Sequence, residues 1–148
     1  MHEWSLAQAI FESVLDFARE KNISKIIEVE VSVGELSQLD INLMSEAFHL
    51  ISKDTILHDT KIVFKEIKAR FKCKNCGYEW DMKEAERQMK ENIPEFAKIV
   101  DEEGTVDYPI HYMPDLIYAY IKCPACGSKD FEVVSGKGVK ITKIIVEE

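Results

Sequence analysis

Phe71-Lys-Cys73-Lys-Asn-Cys76-Gly77-Tyr78 and Ile121-Lys-Cys123-Pro-Ala-Cys126-Gly127-Ser128 share a Cys-x-x-Cys-Gly pattern, and around it the rest of the chain is organised. A two-residue gap lets one tight turn aim both thiolates at a common point, and a glycine after the second cysteine relieves the backbone there. Two such turns complete a tetrahedron of sulfur ligands suited to zinc. A redox pair of the thioredoxin type follows a strand and opens a helix. Here each pair runs on into β-like sequence instead, Tyr78-Glu-Trp80 and Phe131-Glu-Val-Val134. Cys73, Cys76, Cys123 and Cys126 are therefore expected to hold one Zn(II). With thiolate at all four positions no place is left for water or substrate, so this zinc is expected to be structural. Its contribution to folding is on the order of 10 kcal/mol, enough to order a segment with few large apolar residues.

Working outward, residues 70–136 interrupt the periodicity on either side and read as an inserted module. Before it, residues 3–21 read as a helix, with Leu6, Ile10, Val14 and Phe17 at helical spacing and Asn22 as a stop. Lys25 to Val33 alternates, placing Ile27, Val29, Val31 and Val33 on one face and Glu28, Glu30 and Ser32 on the other, until Gly34 ends the strand. Asp40 is a good N-cap for a second helix through Lys53, with an inner stripe of Met44, Ala47, Phe48 and Ile51. Further strands are expected over Lys61–Lys68 and Gly138–Val146, the latter rich in Val, Ile and Thr. The expected architecture is α+β: two helices on a three-stranded sheet, residues 1–69 plus 137–148, carrying a four-cysteine zinc ribbon over residues 70–136. The centre of the insert, Lys83 to Asp107, is dense in Lys and Glu and is expected to form one or two exposed helices.

Composition narrows the function classes. Apolar residues make up 46% and charged residues 31% of the 148, the profile of a globular protein with a packed core. A net charge of −8 argues against non-specific nucleic-acid binding, which draws its affinity from Lys and Arg. No apolar run is long enough to span a bilayer, and Met-His-Glu-Trp has neither the basic region nor the apolar stretch of a secretory signal. A cytoplasmic, reducing location is expected, which favours metal ligands over disulfides for two close cysteine pairs.

His2 can offer a metal its imidazole Nδ1, its own backbone nitrogen and the amine of Met1 in fused chelate rings, most of a square plane. Square-planar nitrogen coordination suits Ni(II) and Cu(II). By position alone, however, His2 reads as a solvated histidine. His111, in Tyr108-Pro-Ile-His-Tyr-Met-Pro114, reads alone as a surface or packed histidine. His49 and His58 read as structural or solvated, and Glu35 as a turn carboxylate. Two rival readings are a zinc ribbon that binds protein or nucleic acid and a metal-dependent hydrolase. The first wants a basic face with exposed aromatics, and although Lys72, Lys74 and Lys122 flank the knuckles the surrounding charge is acidic. The second wants an open zinc position and a general base, and neither is visible.

Taken together, Met1-His2-Glu3, Val33-Gly34-Glu35-Leu36, the paired Cys-x-x-Cys-Gly knuckles and the closing Val139–Val146 resemble the HypA family of nickel metallochaperones. The resemblance runs the length of the chain in order. It implies a nickel site at His2, using the backbone nitrogen of His2 and that of either Met1 or Glu3, beside the four-cysteine zinc ribbon. In archaeal members a histidine in an Ile-His-aromatic-x-Pro string supplies a further nickel ligand, and Ile110-His111-Tyr112-Met113-Pro114 matches it. The chain departs from the shorter bacterial members in its long Lys83–Asp107 segment. What the resemblance implies is a carrier and not an enzyme: Ni(II) is its cargo, a HypB-type nickel GTPase its partner, and a NiFe-hydrogenase large-subunit precursor its recipient. Neither membrane nor nucleic acid is expected among its partners.

Overall fold

The computed structural model describes residues 3–92, 99–100, 106–107 and 117–147. In chain order its elements are α1 (Glu3–Glu20), β1 (Ile26–Gly34), a 3-10 turn (Glu35–Ser37), α2 (Ile41–Ser52), β2 (Lys61–Ile67), β3 (Arg70–Cys73), β4 (Glu79–Asp81), α3 (Met82–Asn92), β5 (Ile99–Val100), β6 (Val106–Asp107), α4 (Ile117–Tyr120), β7 (Phe131–Ser135) and β8 (Val139–Val146). They sort into two units. One comprises Met1–Val33, Leu39–Glu66 and Val139–Glu148; the other comprises Gly34–Gln38 and Ile67–Gly138.

In the first unit α1 buries Ala7, Ile10, Phe11, Val14 and Ala18. The inner stripe is thus rotated from the expected one: Leu6 and Phe17 lie at its margins, and Ala7 and Ala18 are buried. Phe11 meets Phe48 of α2 edge to face, with centroids 6.4 Å apart. Asn22 does stop α1, at φ 54. Its N–H donates to Arg19 O and that of Ile23 to Ala18 O, the paired bonds of a Schellman end. Asp40 Oδ1 accepts from Leu43 N and caps α2 as its residue type foretells. Thr60 Oγ1 donates to Ile26 O at 2.8 Å and pins the approach to β2.

The strands run in the order β2-β1-β8, with β1 and β8 antiparallel. Val29, Val31 and Val33 face the core, but Ile27 is 43% exposed and Ile26 takes the buried place. The cause is a register shift between Ile26 and Glu28, an extra residue that reverses the alternation at the start of the strand. The other face is polar. Glu30 accepts from Lys65 Nζ and Thr142 Oγ1, each at 2.8 Å. These bonds, that from Lys65 foremost and that from Thr142 second, hold its carboxyl below the ordinary 4.5.

The second unit has its own sheet, order β4-β3-β7, antiparallel throughout. Phe71, Trp80 and Phe131 meet over it, Phe71 stacked on Trp80 at 5.8 Å and Phe131 edge-on to both. β5 and β6 pair antiparallel, so the expected helical reading of Lys83–Asp107 holds only over α3. Nor is α3 wholly exposed, because Met82, Ala85, Gln88 and Met89 are buried along one side. Glu84 N donates to Asp81 Oδ1 at its start.

Leu36, only 1% exposed, belongs to this second core although it follows β1 in sequence. The 3-10 turn that carries it is tied into the unit through the backbone. Gly34 N donates to Gly138 O at 2.8 Å and Leu36 N to Gly136 O at 2.9 Å. Glu35 Oε1 accepts from Ala69 N at 2.9 Å, and its other oxygen lies 3.6 Å from Lys68 Nζ. Gly136, at φ +88, lies so close to Ala69 that a Cβ there would come within 2.4 Å of its Cα.

Candidate metal centre

Each knuckle is built by the same backbone bonds. Cys73 N donates to Tyr78 O and Gly77 N to Cys73 O, both at 2.9 Å; Cys123 N donates to Ser128 O and Gly127 N to Cys123 O at the same distance. The turn closes only with positive φ after its second cysteine, +80 at Gly77 and +78 at Gly127, which explains glycine at both positions. β3 delivers the first knuckle, and the residues after α4 deliver the second. Lys74 N donates to Asp130 O at 2.9 Å and joins the two turns.

The four expected zinc ligands come together. Their Sγ atoms all lie within 4.8 Å of one another, with Cys73 to Cys126 and Cys76 to Cys123 both at 3.6 Å. Zinc–sulfur bonds of about 2.3 Å set at tetrahedral angles put sulfurs about 3.8 Å apart, so the cluster has the size and the soft donors that Zn(II) wants. Cys73 and Cys123 are buried, Cys76 and Cys126 exposed. The sulfurs are not electrically alike. The Asn75 amide, 3.6 Å from Cys126 Sγ, and then the Ser128 backbone lower Cys126 to about 6. The Tyr78 backbone also favours the Cys76 thiolate, but burial and the adjoining sulfurs win and push Cys76 up to about 12. Four anions at this spacing ionise together only around a cation.

Glu3 is the first residue of α1. Met1, His2 and His111 lie outside the described residues. His49 is exposed on α2 beside the Phe48 ring. His58 is exposed too, its Nδ1 2.8 Å from Thr55 O and its Nε2 3.0 Å from Asp59 Oδ2. The sequence reading passed over Gln88 entirely. Its side-chain Nε2 donates to Lys122 O and its Oε1 accepts from Lys122 N, both at 2.9 Å. The signal was present in the sequence as an amide on the apolar side of a helix otherwise lined by Met82, Ala85 and Met89.

Fold and site define a class: a two-unit α+β protein in which a four-cysteine cluster able to hold a metal accompanies a small helix-on-sheet unit. The comparisons with known proteins go further. The family described as hydrogenase/urease nickel incorporation, metallochaperone, hypA matches residues 1–146. The hydrogenase maturation factor HypA of Pyrococcus horikoshii is 40% identical over 148 residues, all of this chain and 97% of its own. That of Thermococcus gammatolerans is 37% identical over the same span. The chain belongs to the HypA family of nickel metallochaperones. The solution structure of the Ni metallochaperone HypA from Helicobacter pylori has the same fold, with TM-score 0.56 at 19% identity over 99% of this chain and 97% of that one. A second solution structure of a HypA protein gives TM-score 0.58.

Proposed function

We propose that this chain takes up Ni(II) at His2, with the backbone nitrogen of His2 and that of either Met1 or Glu3, and that His111 completes the site. The cargo then passes to the large-subunit precursor of a NiFe-hydrogenase, in company with a HypB-type nickel GTPase and in the reducing cytoplasm. Family membership over residues 1–146, a span that includes both histidines, is the observation that carries this reading. The relatives' designation as hydrogenase maturation factors favours hydrogenase over urease as recipient. Amide, amine and imidazole nitrogens in one plane suit Ni(II) and repel nothing but zinc's preference for a tetrahedron.

Zinc has a different place in this reading. Cys73, Cys76, Cys123 and Cys126 would hold it, and the ion would supply folding energy and no chemistry. The chain would catalyse no reaction. No described helix is long and apolar enough to cross a membrane.

The test is a nickel titration of the full-length, zinc-loaded protein, untagged at Met1. Wild type is expected to bind one Ni(II) per chain. His2→Ala, or extra residues ahead of Met1, should abolish tight binding, and His111→Ala should weaken it. Unchanged affinity in both His2→Ala and the extended protein would sink the N-terminal site.

A further inference from the structure

Lys122 is the residue before the buried ligand Cys123, and it lies in no helix or strand. Its peptide groups would ordinarily bond to a neighbouring strand or to water. Here both its N–H and its carbonyl are taken by one side chain, the amide of Gln88, at 2.9 Å each. Gln88 is 4% exposed, its Nε2 also approaches Glu84 Oε1 at 3.4 Å, and it projects from α3 in the segment between the two knuckles. One turn further on, Asn92 Nδ2 donates to Tyr120 O at 3.4 Å, so α3 grips the approach to the second knuckle at two points. A buried amide with both its functions satisfied by one backbone residue does the job of a strand neighbour. Neither partner can be lost without stranding the other.

We infer that Gln88 is a positioning residue for the four-cysteine site. It fixes the backbone from which Cys123 projects, and thereby the geometry in which that ligand is presented to the metal. The inference rests on the reading of the four cysteines as a zinc site. A residue that sets the orientation of a metal ligand without touching the metal is expected to act chiefly on how long the metal stays. Two buried hydrogen bonds, each worth roughly a factor of five, predict at least about tenfold faster release when both are removed.

The experiment compares full-length wild type, Gln88→Met, Gln88→Glu and Met89→Ala. Gln88→Met keeps the length of the side chain and gives up both bonds, and Gln88→Glu keeps the acceptor for Lys122 N alone. Met89→Ala empties a buried place on the same helix and leaves the clamp intact. Zinc per chain, the rate of zinc transfer to a chromophoric chelator, the cadmium-113 resonance of the cadmium-loaded protein and the thermal midpoint are measured for each. Gln88→Met is expected to release zinc at least about tenfold faster with a shifted cadmium resonance, and Gln88→Glu, whose buried carboxylate faces Lys122 O and Glu84, at least as fast as Gln88→Met. Met89→Ala should lower the midpoint at least as far, yet keep the wild-type resonance and release rate to within about twofold. Wild-type release from both Gln88 variants, or the same rate and resonance changes in Met89→Ala, overturns the clamp. Wild type without one zinc per chain overturns the zinc reading itself.

Discussion

The two units reach a stable core by different routes. The first packs branched and aromatic side chains of two helices against one face of a sheet, with Phe48 and Met44 wholly enclosed. Apolar burial is the main source of its stability. The second has short strands and a helix whose outer side is charged. Two of its buried side chains are cysteines, and the one leucine among its described residues, Leu36, comes from a distant part of the chain. The contrast is one of means: in a segment poor in large aliphatic residues, a metal held by the four cysteines would substitute for missing core, and a side chain from elsewhere in the chain fills part of the rest.

Removing the metal should break the comparison most sharply. Chelation is expected to cost the second unit on the order of 10 kcal/mol, more than a unit of this size has to spare. The near-ultraviolet signal of Trp80, read in a Trp4→Phe background, should collapse while the amides of α1 and α2 stay protected from hydrogen exchange. A Trp80 signal indifferent to the chelator would mean that the aromatic cluster stands without the sulfurs.

A pair of core truncations sharpens the contrast at a smaller scale. Phe48→Ala should cost about 3–5 kcal/mol and Leu36→Ala about 2–5 kcal/mol. The two losses should appear in different places. Phe48→Ala should expose the amides of α1 and leave zinc retention alone. Leu36→Ala should lower the thermal midpoint read from Trp80 and spare those amides, even though Leu36 stands only three residues after Val33 of the first core. If Leu36→Ala instead lowers the protection of α1 and α2, the leucine serves the first unit.

How much of this was legible follows from what each unit relies on. Periodicity revealed α1, α2, β1, β2 and β8 because burial on one side is what makes those elements stable. It misplaced Ile27 because a bulge is a backbone event that alternation does not record. The cysteine spacing announced the site, since a metal imposes its own geometry on the sequence. It gave no hint of β3, four residues long and alternating for only as many. Gln88 and Leu36 escaped for a common reason: their partners, Lys122 and the aromatic cluster, are remote in sequence and carry no pattern that points back to them.

The smallest expected effect lies on the polar side of the first sheet. The folded carboxyl of Glu30 titrates below 4.5, so its bonds to Lys65 and Thr142 contribute stability above the unfolded value, which is lost as pH falls through the folded one. Glu30→Gln should therefore flatten the acid side of a plot of thermal midpoint against pH below about 4.5, with zinc-dependent signals at neutral pH unchanged. An equal acid slope in variant and wild type would remove Glu30 from the account.

The excursion of Gly34–Gln38 into the second unit also bears on how this protein can be cut and recombined. A cassette bounded by Ile67 and Gly138 carries every cysteine, yet it leaves behind Leu36 and the carboxylate that meets Ala69 N. Transplanting the ribbon into another chain, or deleting it from this one, is therefore not a matter of two junctions. Four breaks are needed, at 33/34, 38/39, 66/67 and 138/139, and the short piece must travel with the long one. Neither unit can be exchanged at its boundary without editing the loop that leads out of β1.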